Sequence, residues 1–462
     1  MAAVLLAACS DDSNELVPNT VEIEEDENGL PIGLSVSAPD FVNAAEAGGM
    51  ARESLFGAPV MQTRSWTPPT DYYLYDELYD DNGNIYSNFA DINLARKSIN
   101  AFFTRAKENE PAEIVDPDNP DYPLYAYYPY HARLSYKSST NKWQLSVRKI
   151  DPKIFPGGNY YVYGFIPSNA ADEATIDKLV GDDYKDGATL TIRGLRTAGY
   201  DACVIIGARD GFDKDHDGGW IDTNDNEVYD EGVDTRTNRL TAGDFLLNLD
   251  TGKRTVDDKE VINPNYLYLL FDHLGSALSI SINVDGAYNA LRTIKLKHLA
   301  LRTATKDGMV KDKVDVTVDL TANALGTNPI TRLSMNGGFD PTAPGDPSGD
   351  GATVYHTDAG LTLSTDEKSF LTHFLPFAEV TTVVVTCTYD IYDKNVTAEH
   401  PDGNLIRKNS KATNVIPLAD IITYFEGVER GWKYGITMTV IPTYLYMLSE
   451  PDLDSPTLTI EH

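Results

Sequence analysis

A chain of 462 residues with 42% hydrophobic side chains is long enough for two or three domains and apolar enough to give each a core, which excludes global disorder. Its 38 basic and 70 acidic residues leave a net charge of −32, a field that repels nucleic acid and anionic lipid headgroups and sets both aside as partners. Beyond the N-terminus, no apolar run approaches the roughly 18 residues of a transmembrane helix.

The first element is Leu6-Ala7-Ala8-Cys9. It resembles the bacterial lipobox: small residues let a signal peptidase reach the bond, and the Cys9 thiol then carries a diacylglyceryl group. On this reading residues 1–9 are a lipoprotein signal ending in the lipidated Cys9. Asp11 and Asp12 resemble the tag that sends lipoproteins to the outer face in some Gram-negative anaerobes. The apolar stretch 2–8 is shorter than a usual signal core and lacks a basic flank, so the true start is expected upstream of Met1. The bland alternative is a frayed apolar terminus with a chance cysteine.

Residues 10–65 follow as a tether and candidate removable N-terminal strand segment. They are polar and acidic to about residue 32, with a strand candidate at 34–36 and a small-residue patch at 44–51. Organised structure is expected from near Trp66. From there, apolar residues alternate with period two between turn residues, the pattern of strands, at 143–147, 160–165, 189–192, 203–206, 245–249, 266–271, 277–284, 293–299, 314–320, 382–389 and 434–441. Helical spacing is weak and confined to 91–104, 172–180 and 418–425. The pattern predicts a mainly β chain, two tandem β-sandwich domains of transthyretin-like or Greek-key type with few short helices. A charged stretch at 251–263 suggests the boundary, with an N-terminal sandwich at 66–255 and a C-terminal one at 264–462. Residues 337–351 read as a Gly/Pro/Asp loop.

Asp213, Asp215, Asp217 and Gly218 form the DxDxDG opening of a calcium loop, where alternating carboxylates converge on a cation while the glycine permits the turn. The closing glutamate of an EF-hand is missing, since its twelfth position is Asn224. The alternatives are a non-EF structural calcium site using Asp213, Asp215, Asp217 and Asp222, or a solvated acidic turn. No cofactor is otherwise required. Cys203 and Cys387 sit in strand-like runs and read either as a disulfide or as two separate buried thiols. Six tyrosines between 122 and 136 could stack on sugars, although on strands and proline-rich edges they are more often packing residues. There is no HExxH, GxSxG or P-loop, and His273, at a strand start, reads as a satisfied core histidine rather than a general base. The chain is therefore read as a non-enzyme.

Four ordered stretches carry a family resemblance. They are the lipobox with its acidic follow-on; Asn141-Lys-Trp143 with Tyr160-Tyr-Val-Tyr-Gly-Phe-Ile-Pro167; Leu270-Phe271-Asp-His273-Leu-Gly-Ser-Ala277; and Gly431-Trp-Lys-Tyr434 through Asp454. Together they resemble the fimbrillin family, lipoprotein precursors of type V pili. The resemblance implies a structural pilus subunit at the outer-membrane surface, partnered by other pilins and a surface receptor and assembled by strand exchange. A trypsin-like protease would remove an N-terminal strand at Arg64, or alternatively Arg52. The donor strand would be the C-terminal tail, through Tyr444, Leu445, Tyr446, Met447 and Leu448 and through Leu458 and Ile460. The same tail could instead close the chain's own second sandwich. The rival class is a monomeric surface lipoprotein that binds glycans for nutrient uptake.

Overall fold

The structure, a computed structural model, describes residues 29–38, 41–43, 98–105, 128–137, 142–149, 158–181, 183–211, 220–221, 235–236, 242–249, 254–256, 259–261, 266–305, 312–322, 329–336, 351–376, 380–418 and 430–441. Its architecture is mainly β, with several largely antiparallel sheets and little helix. The first sheet orders eight strands as β12-β6-β3-β4-β5-β1-β15-β9. These are β1 (Leu30–Ser37), β3 (Ile99–Thr104), β4 (Tyr130–Lys137), β5 (Lys142–Val147), β6 (Gly158–Ile166), β9 (Cys203–Gly211), β12 (Leu246–Leu249) and β15 (Tyr266–His273). Phe165 and Ile166 of β6 also pair with Val204 and Cys203 of β9, so the sheet folds over and its ends meet around one core.

A second sheet, β7 (Glu173–Lys178), β8 (Gly187–Arg196), β18 (Lys313–Thr321) and β19 (Ile330–Asn336), runs in the order β19-β18-β8-β7. The third runs β20-β17-β22-β23, from β17 (Arg292–Ala304), β20 (Ala352–Leu363), β22 (Thr382–Asp393) and β23 (Leu405–Pro417). The fourth runs β2-β24-β16-β21, from β2 (Val42–Asn43), β16 (Ser276–Val284), β21 (Lys368–Phe374) and β24 (Trp432–Val440). Two ribbons, β10 (Trp220–Ile221) with β11 (Thr235–Arg236) and β13 (Arg254–Val256) with β14 (Lys259–Val261), complete the strands described.

The strands form where side chains alternate between core and solvent. In β18, Val314, Val316, Val318 and Leu320 are buried while the residues between them are not, the period of a strand with one wet face. In β6, buried residues run unbroken from Val162 to Ile166, because both faces of that stretch are covered. Every strand expected above falls on a strand of the structure.

Two expected helices are strands instead. Residues 99–104 are β3, held between β4 and β6; its nearly continuous burial hides the alternation that marks a strand. Residues 173–178 are β7. Glu, Ala and Lys favour helices, but Ala174 and Ile176 face the core at strand spacing and pairing with β8 prevails. Of 418–425, only Leu418 lies within the described residues. A short helix that the sequence reading missed, α1 (Gly286–Leu291), is started by Asp285, whose carboxylate accepts the Tyr288 amide at 3.0 Å. Ordered structure also begins before Trp66: the 34–36 candidate is the middle of β1.

Strands from both sides of residues 255–264 share sheets. β15 lies in the first sheet between β1 and β9, and β8 pairs with β18. The charged stretch 251–263 holds the ribbon strands β13 and β14, and its charge carries no information about pairing. The main chain passes from the first sheet to the fourth in one step, at Leu274 and Gly275 between β15 and β16.

Gly164 sits where β6 crosses β3, and a Cβ there would run into the Asn100 carbonyl oxygen and the Ala101 Cα. Gly164→Ala is expected to lower stability by about 1–3 kcal/mol through overpacking. Gly286→Ala, with open space around it, should leave stability within about 0.5 kcal/mol or raise it slightly. Urea unfolding of both variants reads the difference.

Candidate functional site: the slot filled by the N-terminal strand

β1 reads Leu30-Pro-Ile-Gly-Leu-Ser-Val-Ser37, apolar at every second position. Ile32, Leu34, Val36 and the following Ala38 are 4%, 0%, 1% and 0% exposed, so the strand plugs one face into the core. Its backbone is held on both sides. Leu30, Pro31 and Ile32 pair antiparallel with Leu145, Gln144 and Trp143 of β5. Gly33 to Ser37 pair parallel with Tyr266 to Leu270 of β15. A parallel pair cannot be made by a tight turn and needs a long connection. Here the connection runs from residue 37 to residue 266, so the strand is a remote piece of chain occupying an interior place in the sheet.

Past β1 the segment crosses to the fourth sheet. Val42 and Asn43 pair parallel with Trp432 and Lys433 of β24. Between the two contacts the Phe41 ring stacks on His273 at 3.9 Å and lies tilted against His373 at 5.5 Å.

Beneath Phe41 is a buried polar cluster. Antiparallel register sets His273, the last residue of β15, opposite Cys203, the first of β9, and Asp201 stands two residues before Cys203. His273 Nδ1 is 2.7 Å from Asp201 Oδ1 and 3.3 Å from Cys203 Sγ. The thiol donates to Asp201 Oδ1 at 3.4 Å. His373, from β21, places Nε2 4.0 Å from Asp201 Oδ2. Burial opposes ionisation of Asp201, but His273 and His373 outweigh it and, with hydrogen bonds from His273 and Cys203, hold its carboxyl below the ordinary value. Burial first, then the charge of Asp201, pushes the Cys203 thiol well above its ordinary value. Thiol and carboxylate approach the same imidazole nitrogen, so the three residues are not arranged as a nucleophile, base and orienting acid. The expectation that His273 is a hydrogen-bonded core residue agrees with this geometry.

One residue along, the fully buried Asp272 carboxylate accepts from Arg430 Nη1 at 2.7 Å and from the His273 amide at 2.8 Å. The same Arg430 nitrogen donates to the His273 carbonyl at 3.0 Å. Backbone bonds from Leu274 N to Ala202 O and from Gly431 N to Gly275 O, each 2.7 Å, stitch the turn between β15 and β16 to both neighbours. The sequence reading missed Phe41, Asp201, Asp272 and Arg430; Asp201-Ala-Cys203 ahead of a strand, with Asp272-His273 ending another, was the available signal.

All site residues expected from sequence lie outside the described residues: Cys9, Arg52, Arg64, Asp213, Asp215, Asp217, Asp222, Tyr444, Leu445, Tyr446, Met447, Leu448, Leu458 and Ile460. Along the chain, Arg52 and Arg64 fall between β2 and β3, Asp213, Asp215 and Asp217 between β9 and β10, Asp222 between β10 and β11, and the expected donor follows β24. Of the tyrosine-rich stretch, Tyr128, Tyr130 and Tyr136 are described, and each packs edge-on against another ring: Tyr130 against Tyr160, Tyr128 against Tyr130, and Tyr136 against Trp143. Cys203 and Cys387 are both free and buried, as two separate thiols. Among the described residues no helix is long and apolar enough to cross a membrane.

Arg430→Ala removes the cation that the structure sets on buried Asp272 and should cost about 3–5 kcal/mol. Removing Arg193, whose pair with Glu173 is more than half exposed on both sides, should cost under about 1 kcal/mol. Denaturant midpoints of the two variants give the comparison.

No family model matches the chain, and no curated protein matches it. Solved structures that do match include a fimbrial protein from Bacteroides vulgatus, 12% identical over 74% of this chain and 87% of that one, with a TM-score of 0.25. A candidate cell adhesion protein from Bacteroides fragilis is 9% identical over 90% and 94%, with a TM-score of 0.28. Another from Bacteroides uniformis is 10% identical over 74% and 86%, with a TM-score of 0.25. Likeness at this identity and TM-score leaves function to the chain's own geometry.

Proposed function

We propose that the chain is a fimbrillin-like structural subunit of a surface pilus, exported as an outer-membrane lipoprotein through Cys9 and assembled by protease-triggered strand exchange. The observation that carries this reading is the seat of β1, an interior strand supplied by a segment that a single cut would separate from the rest. Cleavage after Arg64, or after Arg52, severs β1 and β2 from everything that follows. Both β5 and β15 then present unpaired backbone groups, and the holes of Ile32, Leu34 and Val36 open beside them.

An extended segment with apolar residues at alternate positions fits such a slot by β-augmentation, through main-chain bonds along the edges and side-chain burial. Tyr444, Tyr446 and Leu448 repeat the spacing of Ile32, Leu34 and Val36, and Leu458 with Ile460 repeats part of it. The C-terminal tail of a neighbouring subunit is thus the proposed donor, and other pilins are the proposed partners, with a surface receptor beyond them. Structural calcium at Asp213, Asp215, Asp217 and Asp222 remains a proposal of the same kind. The glycan-binding alternative draws no support from Tyr128, Tyr130 and Tyr136, whose rings are engaged in packing.

Low-dose trypsin tests the reading. The trimmed chain is expected to begin at Ser65 or Glu53, to release the β1 segment, and to form ladders that lengthen with protein concentration. A synthetic Leu30–Ser37 peptide in excess should refill the slot and suppress the ladders, and the same peptide carrying Leu34→Asp should not. A trimmed chain that releases β1 yet stays monomeric at every concentration would sink the proposal.

A further inference from the structure

A carboxylate with 2% side-chain exposure is costly unless both oxygens are satisfied. Asp201 Oδ1 is satisfied by His273 and Cys203, but Oδ2 accepts no hydrogen bond. Cys203 and His273 are buried to 0% and 1% exposure, and one ligand atom from each of the three residues lies within 4.8 Å of the others. Nothing in strand exchange uses this cluster. We infer that Asp201, Cys203 and His273 form a binding site for a divalent cation of the zinc class.

The donor set selects the metal. Thiolate and imidazole suit borderline-soft zinc, whereas calcium and magnesium take oxygen ligands. Tetrahedral zinc, with bonds of about 2.0–2.3 Å, spaces its ligands roughly 3.3–3.6 Å apart. Sγ to Nδ1 is 3.3 Å and Sγ to Oδ1 is 3.4 Å, close to that spacing already. Only the Asp201–His273 gap, 2.7 Å, has to widen, by about 0.6 Å.

Charge balance favours the same assignment. On binding, the Cys203 thiol proton leaves to solvent, and His273 frees Nδ1 by holding its one remaining ring proton on Nε2. A divalent cation with one thiolate, one carboxylate and one neutral imidazole is then neutral, which suits a site closed to water. Three protein ligands leave a fourth position, and His373 Nε2, 4.0 Å from Asp201 Oδ2, is a further imidazole beside the cluster. Phe41 covers His273 at 3.9 Å, so the metal enters before the N-terminal segment seats, or as it does. Once bound, it clamps the start of β9 to the end of β15, beside the step from the first sheet to the fourth.

The sequence has three cysteines, so in a full chain carrying Cys9→Ser and Cys387→Ser, Cys203 is the sole thiol. That chain, refolded with Co²⁺ and freed of excess metal, is expected to retain one equivalent and to show a near-ultraviolet thiolate-to-cobalt charge-transfer band. Adding Cys203→Ser should abolish the band, and Zn²⁺ should displace the cobalt from the parent chain. Retention of cobalt without the thiolate band would assign the metal to oxygen ligands, such as the Asp213 loop, and overturn the inference. Failure to retain cobalt would overturn it equally. Neither result depends on cleavage or polymerisation, so the proposed function stands or falls separately.

Discussion

The pairing of β1 with β5 on one side and β15 on the other is the constraint on which the rest of the structure depends. Burying Ile32, Leu34 and Val36 is worth roughly 5–9 kcal/mol at about 1.5–3 kcal/mol per side chain. A whole domain retains only about 5–15 kcal/mol of net stability. The first sheet therefore cannot dispense with something in that slot. Its stability does not require that the strand belong to the same covalent chain, because pairing and burial act through space.

What the slot demands is also undemanding in sequence. The buried face needs three mid-sized apolar side chains at period two, and the two edges need only backbone. Parallel pairs are slightly weaker per residue than antiparallel ones, and most of β1's pairs are parallel. Pro31 has no amide hydrogen to give to the ladder. The resident strand is thus held by burial more than by its ladder.

How much of this was legible in the sequence follows from range. Alternation is local, and runs such as 277–284 and 314–320 marked β16 and β18 correctly. Where both faces are buried, as in β3, alternation vanishes, and where helix formers line a one-sided strand, as in β7, propensity points the wrong way. Pairing is not local. Nothing in residues 30–37 states that their partner is 266–270, and nothing in β8 announces β18. The resemblance directed attention to a removable N-terminal strand, but its seat between β5 and β15 is a property of the folded sheet. For the Asp201–His273 cluster, Asp201-Ala-Cys203 and Asp272-His273 gave only local signals, since strand register alone brings these residues together.

The two features are joined through Phe41. The segment that fills the slot continues across the His273 imidazole before it reaches β24, so the strand in the slot and the ring over the cluster belong to one segment. Removal of β1 would expose the unpaired edges of β5 and β15 and, at the far end of β15, His273. β15 is fixed at that end by Arg430 on Asp272, by the Asp201–His273 contact and by its register with β9. The polar junction thus holds that end of β15, one wall of the slot, through contacts that do not involve β1.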